Sequence, residues 1–226
     1  MSTAEDFQRK KELARNIDLC FLLDVTGSMQ PYIDQCRDSI KQIVEILMPT
    51  KTRYSGIAKL LRLSIVGYRD HGDEKQFEIL EFTESPEIFR NFVSSVPADG
   101  GADLPEDVFG GLEKALDLSW SDQCGTKVIF HIADAPCHGN KYHNLRSGGD
   151  DYPNGDPKER TETMLFGRMK EKDIDYHFGR INQTTDKMIQ VFSEAYGSEI
   201  KQYDILKITM AESVISAVCH SVTVRR

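Results

Sequence analysis

Apolar residues follow two rhythms along this chain. The first is the short continuous run. Ile17–Asp24 (IDLCFLLD), Leu60–Tyr68 (LLRLSIVGY) and Lys127–Ala133 (KVIFHIA) are almost unbroken. Such runs predict strands covered on both faces rather than half-exposed ones. Shorter runs predict further strands at Phe77–Phe82, Asp175–Arg180 and Tyr203–Lys207. The second rhythm steps by three and four. Ile33, Cys36, Ile40, Ile43, Val44 and Leu47 form one apolar face of a helix over Met29–Met48, ended near Pro49. The same spacing predicts helices over Pro86–Val96, from Val108 through Leu118, over Arg160–Lys172 and Thr185–Tyr196, and from the last strand to about Ser221. In the helix after Val108, the Gly110-Gly111 pair offers no side chain, which predicts close packing on the sheet.

Strands and helices alternate, so most strands run parallel with right-handed crossovers. The exception is the link Arg69–Asp73, too short for a crossover, which makes the third strand an antiparallel neighbour of the second. The expected fold is α/β: a Rossmann-like, doubly wound, mostly parallel six-stranded sheet with one antiparallel edge strand and helices on both faces. Residues 1–16 are charged and read as a lead-in, helical from Ala4; residues 17–226 read as one domain without a composition break or repeat. Pro136–Pro157 is a long loop rich in Gly, Asp, Asn and Pro, a length usually kept for function. In such sheets a ligand sits beyond the carboxyl ends of the strands. Two of the apolar runs end there in aspartates, Asp24 and Asp134.

Composition narrows the function. With 39% hydrophobic residues the 226-residue chain can bury a full core, and a formal charge of −8 argues against binding nucleic-acid phosphates. No apolar run reaches the ~18 residues of a membrane span. The polar start MSTAEDFQRKK predicts no signal peptide. Five scattered cysteines without a CxxC pair predict reduced thiols, hence a cytoplasmic protein.

The chemistry concentrates at Asp24. A carboxylate at the end of a buried strand needs a partner. Thr26 and Ser28 follow at alternate positions beside Gly27, so one tight turn carries a carboxylate and two hydroxyls, a start on an oxygen-lined Mg²⁺ site.

Asp24-Val25-Thr26-Gly27-Ser28 resembles the DxSxS motif of von Willebrand factor type A domains, with Thr in place of the first Ser. The resemblance covers about residues 17–222 and implies a divalent ion, Mg²⁺ or else Mn²⁺ or Ca²⁺, at a metal-ion-dependent adhesion site. It implies Asp134 as the ligand from a third loop. The second loop, GGADLPED, places Asp103 where the family usually has Thr. The implied set is therefore Asp24, Thr26, Ser28, Asp103 and Asp134, with one position open to an acidic side chain of a partner protein. Three carboxylates would make the site firmer toward metal and less attractive to that partner group. GYRDHGD, GGADLPEDV, IADAPCHG and DDYPNGDP are similar to the type A domains attached to atypical α-kinases, although these 226 residues contain no kinase domain. The function implied is an intracellular, metal-dependent protein-interaction module without chemistry of its own.

Other readings stand beside this one. Asp24 as a simple helix cap is one. Asp103-Leu104-Pro105-Glu106 has a capping-box pattern, which competes with the ligand reading of Asp103. Glu106 and Asp107 suit a helix N-terminus. Asp70 and His71 suit a turn, as do Asp150, Asp151 and Asp156, which could instead collect Ca²⁺. Cys137, His138 and His143 invite zinc but lack a fourth ligand. His131 and Trp120 read as core residues. The enzymatic alternative is a Mg²⁺-dependent phosphohydrolase. Asp24-Val-Thr-Gly-Ser also resembles the aspartyl-phosphate loop DKTGT, in which the first Asp is a nucleophile. Hydrolases of that group usually place a second Asp where this chain has Thr26, and they need an acidic pair near the last strands that is missing here.

Overall fold

The computed structural model describes residues 4–48 and 57–225. Helix α1 (Ala4–Leu13) leads into strand β1 (Asn16–Asp24), a single turn of 3-10 helix over Gly27–Met29, and helix α2 (Gln30–Leu47). Then come β2 (Leu60–Tyr68), β3 (Phe77–Thr83), α3 (Pro86–Ser95), α4 (Val108–Asp117) and β4 (Thr126–Ala133). The chain closes with α5 (Glu162–Glu171), β5 (Asp175–Arg180), α6 (Asp186–Tyr196), β6 (Lys201–Asp204) and α7 (Met210–Arg225). The six strands form one sheet in the order β3-β2-β1-β4-β5-β6, parallel except for β3.

β1 lies at the centre because eight of its nine residues are buried, and only a strand flanked on both edges and both faces can hide so much. One apolar layer gathers α2, α3 and α7 around Phe21, Leu23, Ile40, Phe89, Phe130 and Val214. The other gathers α4, α5 and α6 around Leu22, Tyr68, Leu112, Phe166, Tyr176 and Phe192. Gly111 of α4 meets the sheet closely: a Cβ there would stand 2.6 Å from Tyr68 Cδ1 and 3.1 Å from Leu22 Cδ1. His131 crosses this layer as a satisfied core residue, 2.7 Å from the Tyr68 hydroxyl and 2.6 Å from that of Tyr176. Trp120 is half-buried, edge-on to Phe82, and its Nε1 donates to the Ala115 carbonyl.

Three expectations change. The last strand is Lys201–Asp204 rather than Tyr203–Lys207, because an edge strand four residues long needs no apolar run; Ile205 follows it and donates to the Arg180 carbonyl. Helix α7 continues past Ser221 to Arg225, whose guanidinium reaches Asp173 and Asp175. The cap of α4 is Asp107, which accepts from Gly110 N at 2.7 Å, so the capping-box reading of Asp103 fails. Pro49, expected to end α2, lies outside the described residues. Among the described residues no helix is long and apolar enough to cross a membrane, and no disulfide joins the cysteines.

Candidate metal centre

The parallel strands β2, β1 and β4 all deliver their carboxyl ends to one edge of the sheet, and the residues just beyond those ends build the site. At the end of β1, Asp24 is fully buried. Its Oδ1 accepts from the Thr26 amide at 2.9 Å and the Thr26 hydroxyl at 2.6 Å. Its Oδ2 is buried without a hydrogen-bond partner. Burial pushes the Asp24 carboxyl up to about 7; the Thr26 bonds and the charge of Arg69 oppose this, while Asp134 adds to it. Thr26 is buried, Ser28 is exposed in the turn that starts α2, and Asp134 is half-buried after β4. The Asp134 backbone carbonyl is held by Asn182 Nδ2 and by the Thr184 hydroxyl.

Between these lies the loop 96–107. Arg69, nearly buried, pins its start by donating to the carbonyls of Pro97 and Asp99, and to that of Lys75. Gly100 and Gly101 have φ near +84° and +83°, conformations that side chains rarely adopt. A Cβ on Gly101 would lie 2.9 Å from Glu106 Oε1 and 3.4 Å from Thr26 Cβ, so the loop passes between these two residues with no room to spare.

Glu106 is the residue that sequence reasoning set aside. Asp107 takes the capping role, which leaves the Glu106 side chain free to turn inward. It is 3% exposed, and its Oε2 has no partner. Burial raises its carboxyl to about 10, reinforced by the charges of Asp24, Asp70, Asp73 and Asp103. The signal that could have found it is the acidic pair after Pro105: a helix start uses one cap, and the second carboxylate needs another task. Asp103 is half-buried. Its Oδ2 accepts from Asp151 N at 2.6 Å, its Oδ1 is buried without a partner, and burial raises its carboxyl, with His138, Asp70 and Asp151 as its charged neighbours.

The long loop after β4 supplies a histidine arrangement. His138 Nε2 is 2.7 Å from Asp70 Oδ1, and its Nδ1 is 2.8 Å from Asp150 Oδ1. His143 Nε2 is 2.7 Å from the other Asp150 oxygen, which also accepts from Gly139 N. Burial pulls the His138 imidazole down, but the bonds to Asp70 and Asp150 outweigh it and raise it to about 9. Cys137 does not join the histidines; its amide meets the Met188 sulfur. Further along, Arg160 donates to Asp107 Oδ1 and Asp156 Oδ1, each at 2.6 Å, and holds the loop's end against α4.

Carboxylate oxygens of Asp24, Asp103 and Glu106 are thus buried without partners, and among the described residues Asp103 groups with Asp70 and His138, one donor atom of each within 4.8 Å of the others. Hard oxygen donors in this number suit a divalent cation, so the residues present fit one.

Comparison with known proteins agrees with this architecture. Residues 18–146 match the sequence profile described as von Willebrand factor A domain. Alpha-protein kinase vwkA of Dictyostelium discoideum is 38% identical over 180 residues, covering 79% of this chain and 27% of the kinase. The chain therefore spans about a quarter of that relative's length. Among solved structures, the pilus adhesin SpaC from Lactobacillus rhamnosus GG in its open conformation superposes with a TM-score of 0.57 at 14% identity, over 93% of this chain and 30% of SpaC. The vWF domain of the type V pili tip protein Mfa5 from Porphyromonas gingivalis also gives 0.57, at 12% identity, over 92% of this chain and 94% of Mfa5. At such identities these two share the fold alone. With its mixed sheet and a profile match across more than half its length, the chain belongs to the von Willebrand factor A domain family.

Proposed function

We propose that this domain is a divalent-cation-dependent protein-interaction module that works in the cytoplasm without catalytic chemistry of its own. The ion would be held by Asp24, Thr26, Ser28 and Asp134, with a carboxylate of the loop 99–107 completing the set. Of that loop, Glu106 comes close to Thr26, the two flanking Gly101 at 2.9 Å and 3.4 Å from where its Cβ would stand. Mg²⁺ is the ion that such oxygen donors favour, with Mn²⁺ or Ca²⁺ as alternatives. The bound ion would supply a Lewis-acidic position for an acidic side chain of a partner protein.

The observation that carries this reading is Asp24: a fully buried carboxylate with one oxygen tied to Thr26 and the other without a partner. Such a group is costly unless a cation accompanies it. Three carboxylates in the set leave the ion's charge overbalanced by about one, so the partner's acidic group would be drawn less strongly than by a two-carboxylate site. The phosphohydrolase alternative asks for an accessible nucleophile, and Asp24 is neither exposed nor followed by the second Asp that such enzymes use.

The test is calorimetric titration of Mg²⁺ and Mn²⁺ into the wild-type chain and Asp24→Asn, with affinity capture of partners in Mg²⁺ and in EDTA. Metal binding lost in the variant, with a partner retained only when metal is present, is the expected result. Hydrolysis of acetyl phosphate that disappears in Asp24→Asn would replace the module with an enzyme.

A further inference from the structure

We infer that His138 of the loop 136–157 builds a second cation site beside the first, together with Asp70 and Asp103, with a divalent transition ion such as Mn²⁺ as the occupant. One donor atom from each of Asp70, Asp103 and His138 lies within 4.8 Å of the others. His138 Nε2 and Asp70 Oδ1 share a hydrogen bond at 2.7 Å, close to the ~3 Å that separates two ligands placed about 2.1 Å from one ion, so an ion would take the place of the shared proton, which binding releases.

The orientation of His138 is a separate observation. A metal-bound imidazole usually hands its other N–H to a carboxylate, which fixes the ring and its tautomer. His138 Nδ1 meets Asp150 in that way, and Asp150 is itself held by the amides of Gly139 and Tyr152 and by His143. The ring therefore presents Nε2 to Asp70. Asp103 gives the third observation: its Oδ2 is held by the Asp151 amide, while its Oδ1 is buried without a hydrogen-bond partner, as is Oε2 of the buried Glu106, which feels the charges of Asp70 and Asp103. An imidazole nitrogen among carboxylates distinguishes this site chemically from the all-oxygen one, since nitrogen ligands favour Mn²⁺ or Zn²⁺ over Mg²⁺ and Ca²⁺. The other histidine–carboxylate group, His71 with Asp107 and Asp156, carries no such inference, because Arg160 already sits between its two carboxylates as their cation.

This inference stands apart from the proposed function, and the experiment separates the two. Mn²⁺ bound per chain is counted by equilibrium dialysis for the wild type, Asp24→Asn, His138→Gln and Asp70→Asn, with circular dichroism to establish that each variant is folded. The expected result is two ions for the wild type and one for each variant, and in excess Mg²⁺ the ion that depends on His138 is the one that remains Mn²⁺. Asp150→Asn should weaken that ion by about 10- to 100-fold and leave the Asp24-dependent ion alone. A single ion that disappears in Asp24→Asn and persists in folded His138→Gln and Asp70→Asn overturns the second site and keeps the proposed function. A single ion with the opposite dependence keeps the second site and overturns the first. No Mn²⁺ bound by the wild type overturns both.

Discussion

Replacing Gly111 by alanine sets helix propensity against packing, and the structure decides which prevails. In an isolated helix the change is favourable by about 1 kcal/mol. In α4 the new Cβ would sit 2.6 Å from Tyr68 Cδ1 and 2.8 Å from Cγ, so ring and helix must part by nearly an ångström to reach ordinary contact. Tyr68 is fully buried, and its hydroxyl is bound 2.7 Å from His131 Nε2, so the ring cannot retreat without stretching that bond. Overpacking of this kind costs about 1–3 kcal/mol, and a buried hydroxyl that loses its partner about 1–3 more. Against the propensity gain, the net expectation is a loss of roughly 3 kcal/mol. Tyr68 also carries the carbonyl that receives the Val25 amide, immediately after Asp24, so metal affinity should fall together with stability. The control is Gly167→Ala in α5, where a Cβ meets nothing within 4 Å; it should stabilise by about 0.5–1 kcal/mol. Urea denaturation of both variants, compared at constant m-value, measures the difference. A Gly111→Ala chain as stable as the wild type would refute the packing argument.

Other expectations come from buried charges and the polar core. Arg160→Met leaves Asp107 and Asp156 without their cation and should cost about 3–5 kcal/mol, with limited proteolysis cutting first between residues 136 and 157. Burial holds His131 down at about 3 against an ordinary 6.5, so the unfolded chain takes up this proton first as the pH falls. Stability from this group is complete above pH 6.5 and is lost progressively toward pH 3, by roughly 2–3 kcal/mol at about pH 4.5. His131→Phe should therefore flatten the acid limb of a stability–pH curve while lowering stability at neutral pH, where the Tyr68 and Tyr176 hydroxyls lose their shared partner. Asp24→Asn should raise the melting temperature of the metal-free chain at neutral pH, because a strained buried carboxylate is gone, and should abolish any further rise on adding Mg²⁺.

The central strands were legible because a strand buried on both faces leaves a nearly continuous apolar run, as at Leu60–Tyr68; the structure reproduces that span to the residue, and Asp175–Arg180 as well. β6 was not, because KQYD at the sheet edge is half-exposed and carries no pattern; the buried Ile205 beyond it drew the reading forward. At the candidate site, the placement of Asp24 and Asp134 beyond strand ends was readable from the apolar runs before them. Glu106 was hidden by a local competitor. Asp103, Glu106 and Asp107 all fit a helix start, and the choice of Asp107 depends on how the loop meets Pro136, whose carbonyl receives the Glu106 amide. His138 was visible as a residue, but its pairing with Asp70 spans 68 positions and no spacing rule reaches so far.

The hydrogen-bonded line Tyr68–His131–Tyr176 joins β2, β4 and β5 by passing over β1. Apolar alternation alone would tolerate a slip of two residues between parallel strands, since the same faces stay buried. This line would not. Moving any one of the three strands by two residues would strand hydroxyl and imidazole groups in an apolar layer at about 1–3 kcal/mol each. The line therefore acts as an alignment key for the sheet. It rejects shifted pairings that greasy contacts cannot distinguish, and so sets β4, which leads into Asp134, against β2, whose last residue Tyr68 receives the Val25 amide next to Asp24.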